Sequence, residues 1–245
     1  MQIFSKKPKV TFWSDIKGFK DIIKPEPSHK YIPKWFSHGK TSEEPNRSNI
    51  KNCIGFIDYF KMGYVIPLWC DLKITINELG NIGWESPHTY YQFDFHHPFQ
   101  LQNLLPEHEK DKIACIIKTQ CPYFAKVTKG YSLLQLPMTY WYEKDWTVST
   151  GIFPSSIYPE LNQQIVIYKS FFDNLKPHNG IRSRLIAKGT PLAQYMIIPN
   201  SNSYNYEVIE ETKELKEYRY KSNLHVNTTF QRKFHDMLKC PYVKR

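Results

Sequence analysis

Apolar residues fall into two rhythms along this chain. From Asn49 to Tyr64 they recur at helical spacing, with Ile50, Cys53, Ile54, Ile57 and Phe60 on one face. Gly63 stands where a helix C-cap glycine is expected. The stretch "VIPLWCDLKITIN" then alternates. Ile66, Leu68, Cys70, Leu72, Ile74 and Ile76 are apolar, and Trp69, Asp71, Lys73 and Thr75 stand between them. A period of two puts one set of side chains on one face, so the stretch predicts a single strand.

Shorter β-like runs follow at Ile113–Lys118, Tyr123–Thr128, Tyr131–Leu136 and Trp146–Thr150. Cys121-Pro122, Lys129-Gly130 and Leu136-Pro137 punctuate them. "QIVIYKSFF" (Gln164–Phe172) is apolar on nearly both faces, as a central strand is. "IRSRLIA" and "PLAQYMIIP" flank the turn Lys188-Gly189. Short strands with turn residues between them predict a mainly β domain over residues 50–200, a barrel or a two-sheet sandwich, and argue against βαβ units.

The two ends read differently. Residues 1–49 form an extended, Pro-rich, basic N-terminal arm in this reading, since Pro25, Pro27 and Pro33 oppose long helices. Ile32, Trp35 and Phe36 are expected to tuck into the body, because an exposed Trp-Phe pair makes a sticky patch. Residues 201–245 begin as a charged linker or solvent-facing helix. A C-terminal amphipathic helix follows. Thr228 and Gln231 have capping-box spacing, Phe230, Phe234, Met237 and Leu238 form its apolar stripe, and Pro241 stops it. Lys34, Trp35 and Phe36, with that stripe, are the candidate contacts for a partner or for self-docking.

Composition supports a packed core: 245 residues, 41% hydrophobic and 16% aromatic. The formal charge of +10 favours an acidic protein, nucleic acid or a membrane surface, although the basic residues are scattered and densest near the termini. Five cysteines without a C-x-x-C pair suit a reducing compartment rather than a disulfide framework. Charges precede any apolar run at the N-terminus, and no run reaches 18 residues, so neither a signal peptide nor a membrane span is expected.

Four strings in order, "IPKWF", "IKNCIGFIDYFKMGYVIPLWCDLKI", "TKGYSLLQLP" and "KGTPLAQYMIIP", resemble an uncharacterised β-rich protein family of tailed (notably marine) phages and some bacteria. The resemblance spans roughly residues 30–200 and implies a phage origin, hence the host cytoplasm when made and the virion as a further location. It implies no activity. That family often carries an acidic D-T-D turn where this chain has "GIFPSSIY", with Pro154, Ser155 and Ser156 in the region. Separately, "GTPLAQYMIIP" looks like the closing strand of trimeric nucleotide hydrolases and deaminases of the dUTPase type, where a glycine turn precedes an "AQ" dipeptide. Ala193 and Gln194 match it. "RSR" (Arg182–Arg184) is misplaced for phosphate chemistry, and no Asp stands in a matching motif. Gln194 is therefore read as a structural residue of a closing strand.

The strand "HTYYQFDFHH" carries an aromatic face, Tyr91, Phe93 and Phe95, and a polar one that includes His88, Asp94 and His96. Two His and a carboxylate are the donor set of a facial iron site. His88, Asp94 and His96 are thus the candidate metal ligands, for Fe or another divalent transition metal, although no cofactor is the primary expectation. No nucleophile elbow, Walker loop or Rossmann fingerprint occurs. The leading expectation is a non-enzymatic interaction or virion-accessory protein, with a protein partner or a homo-oligomer, because arms at both ends suit clasping neighbours. The alternatives are a metal-dependent oxygenase or hydrolase on the His88–His96 face, and a single-stranded nucleic-acid binding module built on "KYIPKWF" and "YRYKSN".

Overall fold

The alternating stretch after Gly63 folds as two strands. Pro67 lacks an N–H and ends the first, and the chain turns through Leu68–Asp71 before the second begins. The computed structural model describes residues 7–38, 53–87, 93–97, 106–141, 145–154, 158–200 and 207–221. By contacts the chain divides into two compact units, Met1–Glu26 with Gly63–Asn200, and Pro27–Met62 with Ser201–Arg245.

In chain order the strands are β1 (Val10–Trp13), β2 (Glu26–Pro27), β3 (Tyr64–Pro67), β4 (Leu72–Asn77), β5 (Ile82–Glu85), β6 (Phe93–Phe95), β7 (Ile113–Thr119), β8 (Phe124–Val127), β9 (Tyr131–Pro137), β10 (Trp146–Val148), β11 (Gly151–Phe153), β12 (Gln164–Tyr168), β13 (Ile181–Ile186) and β14 (Pro191–Pro199). They form sheets in the orders β11-β9-β14-β3-β2, β10-β12-β7-β6 and β13-β4-β5, with β1-β8 as a separate ribbon. The protein is mainly β, with antiparallel sheets. None of them closes on itself, so among the described residues there is no closed barrel.

One feature organises the first unit. β4 pairs with β13 from Leu72↔Ile186 to Asn77↔Ile181, while β3 pairs with β14 from Pro67↔Pro191 to Tyr64↔Tyr195. The two chain segments run together as one antiparallel ribbon that bends from one sheet into another. The bend lies at Leu68–Asp71 on one side and Ala187–Thr190 on the other. Here the sequence pattern persists while the strand stops: Leu68 and Cys70 remain buried, and Trp69 between them is buried as well. "IRSRLIA" and "PLAQYMIIP" accordingly do not pair with each other; they lie in two sheets.

The core of this unit gathers Leu68, Trp69, Leu72 and Ile74 with Ile117, Leu133, Ile165, Ile167 and Tyr195. Trp69 stacks on Phe93 at 5.7 Å with the rings 5° from parallel. Gly63 sits at φ +73°, and a Cβ added there would lie 2.0 Å from the Tyr195 carbonyl oxygen. The glycine thus serves close backbone approach at the start of β3, one residue beyond the extended Met62 that ends the preceding helix.

The Lys-rich start of the chain contributes to the same core. Val10–Trp13 pairs with Phe124–Val127, Phe12 meets the Tyr64 ring edge-on at 5.4 Å, and Phe19 packs on Tyr123. In the second unit, α1 (Lys34–His38) and α2 (Ile54–Lys61) supply an aromatic contact, Phe36 against Phe60 at 4.8 Å, and Ile57 of the second helix is buried. Phe36 is buried as expected of it, whereas Trp35 is 36% exposed. A helix over 213–221 falls in the segment read as linker or solvent-facing helix. Phe230, Phe234, Met237 and Leu238 lie outside the described residues.

Candidate functional site

The bend in the ribbon brings ionisable groups to the surface over a buried floor. Asp71 Oδ1 accepts the Lys188 main-chain N–H at 2.7 Å. Leu68 N–H donates to Thr190 O at 2.8 Å, Gly189 N–H donates to Leu68 O at 2.7 Å, and the Thr190 hydroxyl donates to Ala187 O at 2.7 Å. Gly189 takes φ +85°, the left-handed conformation that lets the turn close. Asp71 and Lys188 are both exposed. Below them Cys70 is buried, with its Sγ 3.2 Å from the Ser86 hydroxyl oxygen. Burial pushes the Cys70 thiol up, the Ser86 contact opposes this, and the Asp71 and Lys188 charges act on it in opposite directions. The corner therefore holds one carboxylate fixed by a single oxygen, with its second oxygen toward solvent, and an ammonium on the residue that fixes it.

A second polar cluster is sealed inside. Tyr195 donates to Gln135 Oε1 and accepts from Gln163 Nε2 at 2.9 Å. Gln135 Nε2 donates to Ser149 O at 2.6 Å, and the Thr119 hydroxyl donates to Gln163 Oε1 at 2.7 Å. Desolvation raises Tyr195 well above its usual range and pushes Cys121, in the same region, up to about 12. Groups held neutral, bonded and out of solvent specify strand register; they do not turn over a substrate.

A third cluster is a clamp. Arg184 Nη1 donates to Asp145 Oδ2 at 2.7 Å and to Phe171 O at 3.4 Å, with the guanidinium 4.9 Å from the Phe171 ring centre. Arg182 reaches Phe172 O at 3.5 Å. Both arginines meet the last carbonyls of the 3-10 turn Lys169–Phe172, where positive charge is favoured.

Of the metal candidates, Asp94 is exposed on β6 opposite Lys118, and its Oδ1 accepts the adjacent Phe95 N–H at 2.8 Å. His96 follows the strand, its N–H donating to Ile116 O at 3.0 Å. His88 lies outside the described residues. Among the described residues no group of three or more His, Cys, Asp or Glu converges. Of the contact candidates, Lys34 and Trp35 are exposed and Phe36 is interior. Gln194 is buried on β14 between β3 and β9. No helix among the described residues is long and apolar enough to cross a membrane.

The fold and corner thus describe a β protein with an exposed carboxylate held by the main chain of a lysine at a sheet-to-sheet bend. No family model and no curated protein matches the chain. Among solved structures it is similar to the EIAV dUTPase, at 10% identity over 83% of this chain and 99% of that one, with TM-score 0.34. It is also similar to the Staphylococcus bacteriophage 80alpha dUTPase, at 13% identity over 84% and 90%, with TM-score 0.38. A third is the dUTPase of phage phi11 of S. aureus, described with a structural Mg(II) ion, at 12% over 84% and 99%, with TM-score 0.36. Likeness at this level gives no residue-to-residue correspondence.

Against the expectation of a non-enzymatic interaction or virion-accessory protein, the solved structures that the chain is similar to are dUTPases. That expectation rested on free arms at both ends, yet Val10–Trp13 is a paired strand packed into the first unit. Sequence reasoning passed over Asp71 as an outward residue of a continuous strand. The signal was present in Pro67, which cannot donate to a ladder, and in the glycine turn at Lys188-Gly189 that has to face it.

Proposed function

We propose that the chain is an enzyme acting on a nucleoside phosphate, with the corner formed by Asp71 and Lys188 as its phosphate site. The observation that carries this reading is the Asp71 carboxylate, anchored through Oδ1 and open at Oδ2, on the residue pair that also supplies a cation. In hydrolysis, water attacks phosphorus and gives its proton to Asp71 Oδ2 as the bond from phosphorus to the leaving phosphate breaks. Lys188 offsets the charge that builds on the phosphate oxygens. A net charge of +10 draws such an anion to the surface. "GTPLAQYMIIP" supports the reading from the sequence side, since it forms one side of the same bend and resembles a strand of nucleotide hydrolases.

Magnesium accompanies triphosphates with most of its waters in place and takes one or two protein carboxylates. In this reading Mg2+ arrives with the nucleotide. The test is a thermal-shift series with dUTP and the four other common nucleoside triphosphates, with and without Mg2+, read beside phosphate and pyrophosphate release. At least one nucleotide is expected to raise the melting temperature and to be hydrolysed. No shift and no release with any of them would remove the proposal.

A further inference from the structure

In the second unit the helical residues 213–221 are all exposed. Leu215 is 41% exposed, Tyr218 69% and Tyr220 68%, and just before the helix Val208 is 89% exposed. Its polar contacts run within the segment. Thr212 caps it, accepting the Leu215 N–H at 3.3 Å, and Arg219 pairs with Glu211 at 2.8 Å. Leu215, Tyr218 and Tyr220 leave apolar surface in water, as a contact surface for a partner does.

Charge says which surface. Residues 207–214 carry Glu207, Glu210, Glu211 and Glu214 against Lys213 alone. Residues 215–221 carry Lys216, Arg219 and Lys221 against Glu217 alone. Lys213, Lys216, Glu217, Arg219, Tyr220 and Lys221 line one side of an open depression at this surface.

We infer that 207–221 is a self-association element that pairs antiparallel with the same segment of a second copy. Under two-fold symmetry the acidic half of each copy faces the basic half of the other, twice over. A parallel pair sets like charge against like. Val208, Leu215 and Tyr218 supply apolar contact between the charged rows. This inference is independent of the phosphate reading.

Sedimentation of the full chain over a concentration series tests it with two variants. One carries Glu207→Lys, Glu210→Lys, Glu211→Lys and Glu214→Lys. The other carries Lys216→Glu, Arg219→Glu and Lys221→Glu. The wild type is expected to dimerise, each variant alone to self-associate more than about tenfold more weakly, and an equimolar mixture to recover a 1:1 complex that salt loosens. Recovery on mixing also shows that both variants remain folded. A monomeric wild type, a variant that dimerises as the wild type does, or a mixture that stays monomeric overturns the inference.

Discussion

The Asp71 carboxylate holds the main-chain N–H of Lys188 at 2.7 Å across 117 positions of sequence, where two long strands change sheets together. One oxygen of the carboxylate is structural and the other faces solvent. That division separates folding from chemistry at a single side chain, and the two respond differently to substitution.

Asp71→Asn keeps a carbonyl oxygen for the Lys188 N–H and removes the proton acceptor. It is expected to unfold within about 0.5 kcal/mol of the wild type, the range of a neutral surface change, while losing phosphate release. Asp71→Ala loses the bond itself and is expected to cost about 1 kcal/mol, the usual net worth of a hydrogen bond. Urea unfolding of both variants, beside product release, separates the two roles.

Gly63→Ala places a methyl 2.0 Å from the Tyr195 carbonyl oxygen at a positive φ. Neither side has a flexible group to move, so β3 and β14 have to separate locally. The expected loss is roughly 3 kcal/mol, in the range of strained backbone combined with overpacking, read as a lower urea midpoint. Gly130→Ala, also at positive φ but with nothing within 4 Å, is the control and loses less.

Tyr195→Phe removes the hydroxyl that joins Gln135 to Gln163. Both amides stay buried with one group unpaired, which costs about 1–3 kcal/mol. The fold is expected to persist, and urea unfolding measures the loss.

Alkaline pH weakens the protein through its buried acids. Burial pushes the Cys121 and Cys115 thiols from their ordinary value of 9.0 up to about 12. Above pH 9 the unfolded chain releases these protons while the folded chain keeps them, so the folded state binds more protons and stability falls as pH rises. Their contribution is complete below about pH 9 and lost progressively toward pH 12. Tyr195 acts in the same direction from pH 10 upward. In Cys121→Ala the urea midpoint is expected to fall less steeply between pH 9 and 11, whatever its value at pH 7.

The strands that alternate cleanly or run apolar on both faces were legible from sequence: Ile113–Thr119, Tyr131–Pro137, Gln164–Tyr168 and Pro191–Pro199 lie where their patterns put them. The bend at Leu68–Asp71 was not, because burial keeps its period of two through Leu68 and Cys70 while the hydrogen-bond ladder changes partner. Val10–Trp13 was missed because four residues amid lysines give too short an alternation, and its partner lies more than a hundred residues away. Gln135 carried a readable signal, an inward polar residue sharing parity with Leu133, but its partners are Ser149, just past β10, and Tyr195 on β14, which only the fold brings together. Asp71 is the same case at the surface: its meaning depends on Lys188.

The most direct test is 31P NMR of dUTP with Mg2+ in the presence of wild type and of Asp71→Asn at equal folded concentration. The account predicts that the wild type releases phosphate or pyrophosphate and that Asp71→Asn, with an unchanged melting temperature, does not. A wild type that leaves dUTP and the other nucleoside triphosphates intact, or an Asp71→Asn variant as active as the wild type, would contradict it.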